Sequence, residues 1–116
     1  MKTYASINKL IVKTLSPILP TALLKYSGKD NLYATFRVSS RKKRLLASGD
    51  NYGISCYGFI DVFSKSNPSI ENSVLGKIDE ALSNAGFTVL NITDAEYVYD
   101  KGEYHAEITF RYLYER

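Results

Sequence analysis

Apolar positions near the start of the chain recur at helical spacing. Between Thr3 and Leu15 the stripe is Ile7, Leu10, Ile11 and Leu15, with Asn8, Lys9 and Lys13 off it, so this span reads as an amphipathic helix. Pro17 disfavours helical backbone in the residue before it and ends the helix at Ser16. After Pro20, Ala22 to Tyr26 reads as a short strand and Ser27 to Asn31 as a turn. The pattern then switches to alternation: from Leu32 to Val38, Ala34, Phe36 and Val38 point one way and Tyr33, Thr35 and Arg37 the other. Alternation breaks from Ser39 to Tyr52, where Ser48 to Asn51 is a turn cluster. It resumes from Gly53 to Phe63 with Ile54, Cys56, Gly58, Ile60 and Val62 on one face. Two antiparallel strands joined by a long, basic, projecting hairpin or loop are expected.

Asn67 and Pro68 form a helix-start pair, a capping residue followed by one suited to the first helical position. Ile70, Val74, Ile78, Ala81, Leu82 and Ala85 make the stripe of this second helix, and Gly86 is its C-terminal stop. Phe87 to Ile92 and Glu96 to Tyr99 read as short strands, followed by a turn at Asp100-Lys101-Gly102. From Tyr104 to Tyr114 alternation is strict. Tyr104, Ala106, Ile108, Phe110, Tyr112 and Tyr114 lie on one face, and His105, Glu107, Thr109, Arg111 and Leu113 on the other. The expectation is an α+β fold of order α-β-β-β-α-β-β-β, one mostly antiparallel or mixed sheet with both helices on one face.

The 116 residues fit a single domain spanning the whole chain, residues 1–116. A hydrophobic share of 45% beside 23% charged residues is that of a folding globular chain. Ten Tyr and five Phe with no Trp favour strands and protein interfaces. Net charge is only +3, but the positive charge concentrates in Arg41-Lys42-Lys43-Arg44. The single Cys56 excludes an internal disulfide and fits a reducing compartment. The apolar runs are too short for a membrane span or a signal peptide, so a soluble cytosolic product without a membrane role is expected.

Candidates for chemistry are few. His105 is the only histidine, so no two-His metal site or His triad with a spare can be assembled in one chain. Glu107 lies two residues away on the same face, within reach of a hydrogen bond; a surface or interface histidine is the plainer reading. Cys56 alternates with Ile54 and Ile60 and reads as core. The carboxylates occur singly or in turns, and no P-loop, GxGxxG, GxSxG or EF-hand spacing is present. No catalytic, cofactor-binding or metal-binding residue is assigned, and a non-enzymatic protein is expected.

Two binding features remain. Arg41, Lys42, Lys43 and Arg44, followed by Leu45 and Leu46, form a candidate docking loop for a protein surface or nucleic acid, or a solvated loop tip. Tyr57, Phe59 and Phe63 face away from Ile54, Ile60 and Val62, so this strand is apolar on both sides. With helices for only one face, Tyr57, Phe59, Phe63, His105 and Arg111 form a candidate subunit interface, most economically with further copies of the chain.

Local words also carry a family resemblance. Leu32-Tyr-Ala-Thr-Phe-Arg37 is followed by Gly58-Phe-Ile-Asp-Val-Phe-Ser-Lys65 and by a helix ending in Ala85-Gly86-Phe87. Tyr97-Val-Tyr-Asp-Lys-Gly-Glu-Tyr-His105 then leads into an aromatic strand. From about Leu32 onward this order resembles the tail-completion or tail-terminator proteins of long-tailed, non-contractile phages and prophages. The resemblance implies a small subunit that forms a ring, a hexamer, on the last tail-tube ring. There it stops tube polymerisation and offers a surface to the head-side connector or stopper protein, with DNA only as passing cargo. It implies assembly in the host cytoplasm and a place at the head-proximal end of the virion tail. Relatives tend to carry an acidic stretch after the strand ending at Val38, where this chain carries Arg41 to Arg44. A neck or head-completion connector, or a small basic nucleic-acid-binding domain, are the alternative readings.

Overall fold

The computed structural model describes residues 4–45, 52–68 and 74–115. The elements follow the expected order: α1 (Tyr4–Leu15), β1 (Thr21–Leu23), β2 (Leu32–Leu45), β3 (Tyr52–Ser64), α2 (Val74–Asn84), β4 (Thr88–Ile92), β5 (Glu96–Val98) and β6 (Glu103–Glu115). The strands form one sheet in the order β1-β2-β3-β6-β4, with β5 also pairing with β6. β1 runs parallel to β2 and every other pairing is antiparallel, so the sheet is mixed.

The helical stripes and the alternating strand positions meet in one core. Ile7, Ile11 and Leu15 from α1 and Ile78 and Leu82 from α2 are fully buried against Phe36, Ile60, Ile108 and Phe110 of the sheet. Each such side chain contributes roughly 1.5–3 kcal/mol on burial. α2 ends as Gly86 requires: its φ is +95°, Gly86 N–H donates to Ser83 O and Phe87 N–H to Leu82 O, the double closure of a Schellman cap. Asn67 and Pro68 precede α2, while Ile70 lies outside the described residues.

Three differences from the sequence reading have local causes. β1 stops at Leu23 instead of reaching Tyr26, because Leu24 takes φ +63° and Lys25 N–H donates to Leu23 O at 2.7 Å, a tight three-residue turn. β2 does not end at Val38. The register slips between Val38 and Ser40, one inserted residue that reverses the alternation and hides the continuing strand. The basic run therefore lies on the β2 arm of the hairpin, paired through Arg41↔Cys56, Lys42↔Ser55, Lys43↔Ile54 and Arg44↔Gly53, and not on a loop. Leu46 and the turn from Ser48 to Asn51 lie outside the described residues.

Gly58 holds the centre of the sheet tight. It pairs with Phe110 on β6 and Val38 on β2. A Cβ at this position would come within 2.4 Å of Arg37 O and 2.5 Å of the Phe110 ring.

Candidate functional site

Both helices cover the face that carries Phe36, Ile60 and Ile108; on the opposite face no element among the described residues covers the sheet. Strand register brings the expected interface residues together there. Phe63 pairs with His105, Tyr57 with Arg111, and Phe59 with Thr109. All five of Tyr57, Phe59, Phe63, His105 and Arg111 are half-buried, since each is shielded by its cross-strand neighbours and not by a second layer.

The rung Tyr33↔Phe63↔His105 runs across three strands and its rings stack. Centroids lie 5.1 Å apart for Tyr33 and Phe63 and 4.8 Å for Phe63 and His105. Tyr26, from the segment after β1, extends the stack at 4.5 Å from Tyr33. Offset stacking of this kind adds about 0.5–1.5 kcal/mol per pair beyond the buried area. Cations lie over the neighbouring rings: Arg37 over Phe59 at 4.5 Å, Lys101 over Phe63 at 5.2 Å and Lys42 over Tyr57 at 5.8 Å.

His105 takes its side-chain partner from the adjacent strand. Its Nε2 lies 2.8 Å from Asp61 Oδ1, a cross-strand partner, whereas the spacing along β6 had placed only Glu107 within reach. The Tyr33 hydroxyl donates to Glu103 Oε2 at 3.1 Å. Burial, and then this bond to a carboxylate, push the Tyr33 phenol above its ordinary value. Beside His105 a cleft of about 410 Å³ is lined by Thr93, Asp94, Glu96, His105 and Glu107. No three His, Cys, Asp or Glu among the described residues are placed to hold a metal ion. Cys56 is fully buried in the core.

This face remains partly exposed. It offers aromatic surface fixed by stacking, guanidinium and ammonium groups laid over rings, and a hydrogen-bonded His–Asp pair at one end. The sequence pattern locates its central residues through their shared parity with Tyr57. It misses Tyr26 and Lys101, whose membership depends on chain turns; the parity of Tyr33 and Arg37 on β2 and of Asp61 on β3 already placed them on the outward side, and register adds the contact of Asp61 with His105. The basic arm presents exposed Arg41, Lys42 and Lys43 beyond the ring stack. Among the described residues no helix is long and apolar enough to cross a membrane.

Comparison with known proteins is informative at the level of fold. No family model matches the chain, and no curated protein matches it. A solved chain from the "Virion of native gene transfer agent (GTA) particle" superposes with a TM-score of 0.57 at 12% identity, covering 91% of this chain and 84% of that one. The chain thus shares its α+β fold with a component of that virion.

Proposed function

We propose that this protein is a virion assembly subunit of the tail-terminator type, which binds as a ring on the end of a growing phage or prophage tail tube. There it stops polymerisation and offers a joining surface to the head-side connector. The observation that carries the reading is the uncovered sheet face, where Tyr33, Phe63 and His105 are stacked across three strands with no layer above them among the described residues. A monomer that leaves a rigid aromatic face open has a surface suited to a protein partner. The fold shared with a gene transfer agent virion component supports the same reading, as do the local words from Gly58 to Lys65 and from Asp100 to His105. The mechanism is occupation of a polymer end by binding, without a covalent step.

The neck or head-completion alternative predicts a different target. Purified protein mixed with isolated tails and, separately, with filled heads should co-sediment with the tails; binding to heads alone would transfer the assignment to the connector class. The exposed cations Arg41, Lys42 and Lys43 favour a second reading, nucleic-acid contact. Tyr57, however, already has Lys42 over its ring, which leaves it less available to stack on a base. Reversing the three charges should leave tail binding in place and abolish any salt-dependent shift of nucleic acid.

A further inference from the structure

The two edges of the sheet, at β1 and at β4, differ in a way the open face does not explain. β1 pairs only with β2 and β4 only with β6, so both are terminal strands. Each edge carries exposed apolar side chains: Leu23 and Leu24 at 46% and 68% exposure on one, Leu90 and Ile92 at 48% and 37% on the other. The first edge also has a groove of about 330 Å³ lined by Lys9, Val12 and Lys13 of α1, Leu23 of β1 and Phe36 of β2. Asn8 lines the same groove, and its Oδ1 is buried without a hydrogen-bond partner among the described residues.

The charges around the two edges are opposite. Every charged residue from Met1 to Lys29 is a lysine, with the next residue, Asp30, bonded to the Tyr26 hydroxyl, and every charged residue from Phe87 to Asp100 is acidic. Lys9, Lys13 and Lys25 are exposed around the first edge, Asp94 and Glu96 around the second. Two like edges would bring like charges together, whereas unlike edges bring apolar surface to apolar surface inside a rim of opposite charges. Leu24 is strained at the first edge. It holds a left-handed φ of +63° that glycine adopts without steric cost, and it projects the most exposed of these side chains.

We infer that the β1 edge of one copy receives the β4 edge of the next, with Leu90 and Ile92 seated against Val12, Leu23 and Leu24, and Asp94 and Glu96 facing Lys9, Lys13 and Lys25. The contact is head-to-tail, the kind that closes into a ring when its rotation permits. It leaves the open aromatic face, which the sequence suggested as the contact between copies, for the tail tube or connector instead. The inference rests on the proposed ring and specifies which surfaces build it.

The test uses cysteines on the wild-type background, where Cys56 is buried. The double variant Leu24→Cys/Leu90→Cys should give a ladder of disulfide-linked oligomers on mild oxidation, ending at the subunit number that native mass spectrometry finds for the wild type. Each single variant should stay uncrosslinked. Independently, Lys9→Glu/Lys13→Glu should weaken self-association at least tenfold, and adding Asp94→Lys/Glu96→Lys should restore it. A single variant that crosslinks to itself, or a folded double variant that gives no ladder, overturns the edge assignment. If the wild type still forms a ring in that case, the ring reading stands; if it forms none, both fall.

Discussion

Asp61 and His105 are joined by a 2.8 Å contact between Oδ1 and Nε2 across β3 and β6, although neither is the other's register partner: Asp61 pairs with Glu107 and His105 with Phe63. The contact is diagonal and lies on the uncovered face, with the side chains 19% and 33% exposed. A half-exposed pair of this kind contributes about 0–1 kcal/mol, so its main effect is to fix the imidazole against the Phe63 ring. Asp61→Ala is expected to lower stability by less than about 1 kcal/mol in urea unfolding while weakening binding to isolated tails. Unchanged tail binding would remove this pair from the docking surface.

Gly58 has no room for a side chain. In Gly58→Ala the new methyl meets the Arg37 carbonyl and the Phe110 ring, and the Phe110 ring is itself held edge-on by Phe87 at 5.3 Å. Overpacking of a tight core costs about 1–3 kcal/mol, and contact with backbone puts this site at the upper end. Urea and thermal unfolding should show a loss of about 2–3 kcal/mol, whereas an unchanged midpoint would mean that β2 and β3 separate easily here.

Tyr33 makes stability depend on alkaline pH. Its phenol holds its proton more tightly in the folded chain than the ordinary value of 10.0 implies, first through burial and then through the bond to Glu103. A folded value raised above the unfolded one contributes stability that is fully present below about pH 10 and is lost as pH rises through the folded value. Tyr33→Phe should therefore flatten the fall in unfolding free energy above about pH 10. An identical alkaline slope in both proteins would count against the buried, bonded phenol.

Leu24 separates folding from assembly. A leucine held at φ +63° bears a cost of about 1–2 kcal/mol that glycine avoids, although glycine also gains entropy in the unfolded chain. Leu24→Gly is expected to leave the monomer as stable as the wild type or up to about 1 kcal/mol more stable, and to weaken self-association. Sedimentation velocity and urea unfolding on the same sample read the two effects. A less stable variant that associates normally would contradict both halves of the expectation.

Much of the fold is legible in the spacing of apolar residues. Ile7, Ile11 and Leu15 lie in the core as their helical spacing requires, and Ala106, Ile108 and Phe110 do so as their alternation requires. The outward parity of Tyr57, Phe59 and Phe63 likewise locates the open face. What the pattern hides is whatever depends on register or on one irregular residue. The slip at Ser39, whose hydroxyl donates to Tyr57 O at 3.2 Å, shifts the alternation and makes a strand look like a loop. The left-handed turn at Leu24 cuts β1 short. Asp61 reads as an isolated carboxylate until strand pairing sets it beside His105. The opposite charges of the two edges are plain in the composition of the segments, but their meaning needs the topology that puts β1 and β4 at opposite ends of the sheet.

The central claim, that the protein caps a tail by binding, is tested most directly by electron microscopy of particles assembled in its absence, with tail length and head attachment scored. Overlong tails, or tails of scattered length without heads, are the expected result, and supplying the protein should restore uniform, joined tails. Tails of normal length attached to heads in its absence would contradict the account.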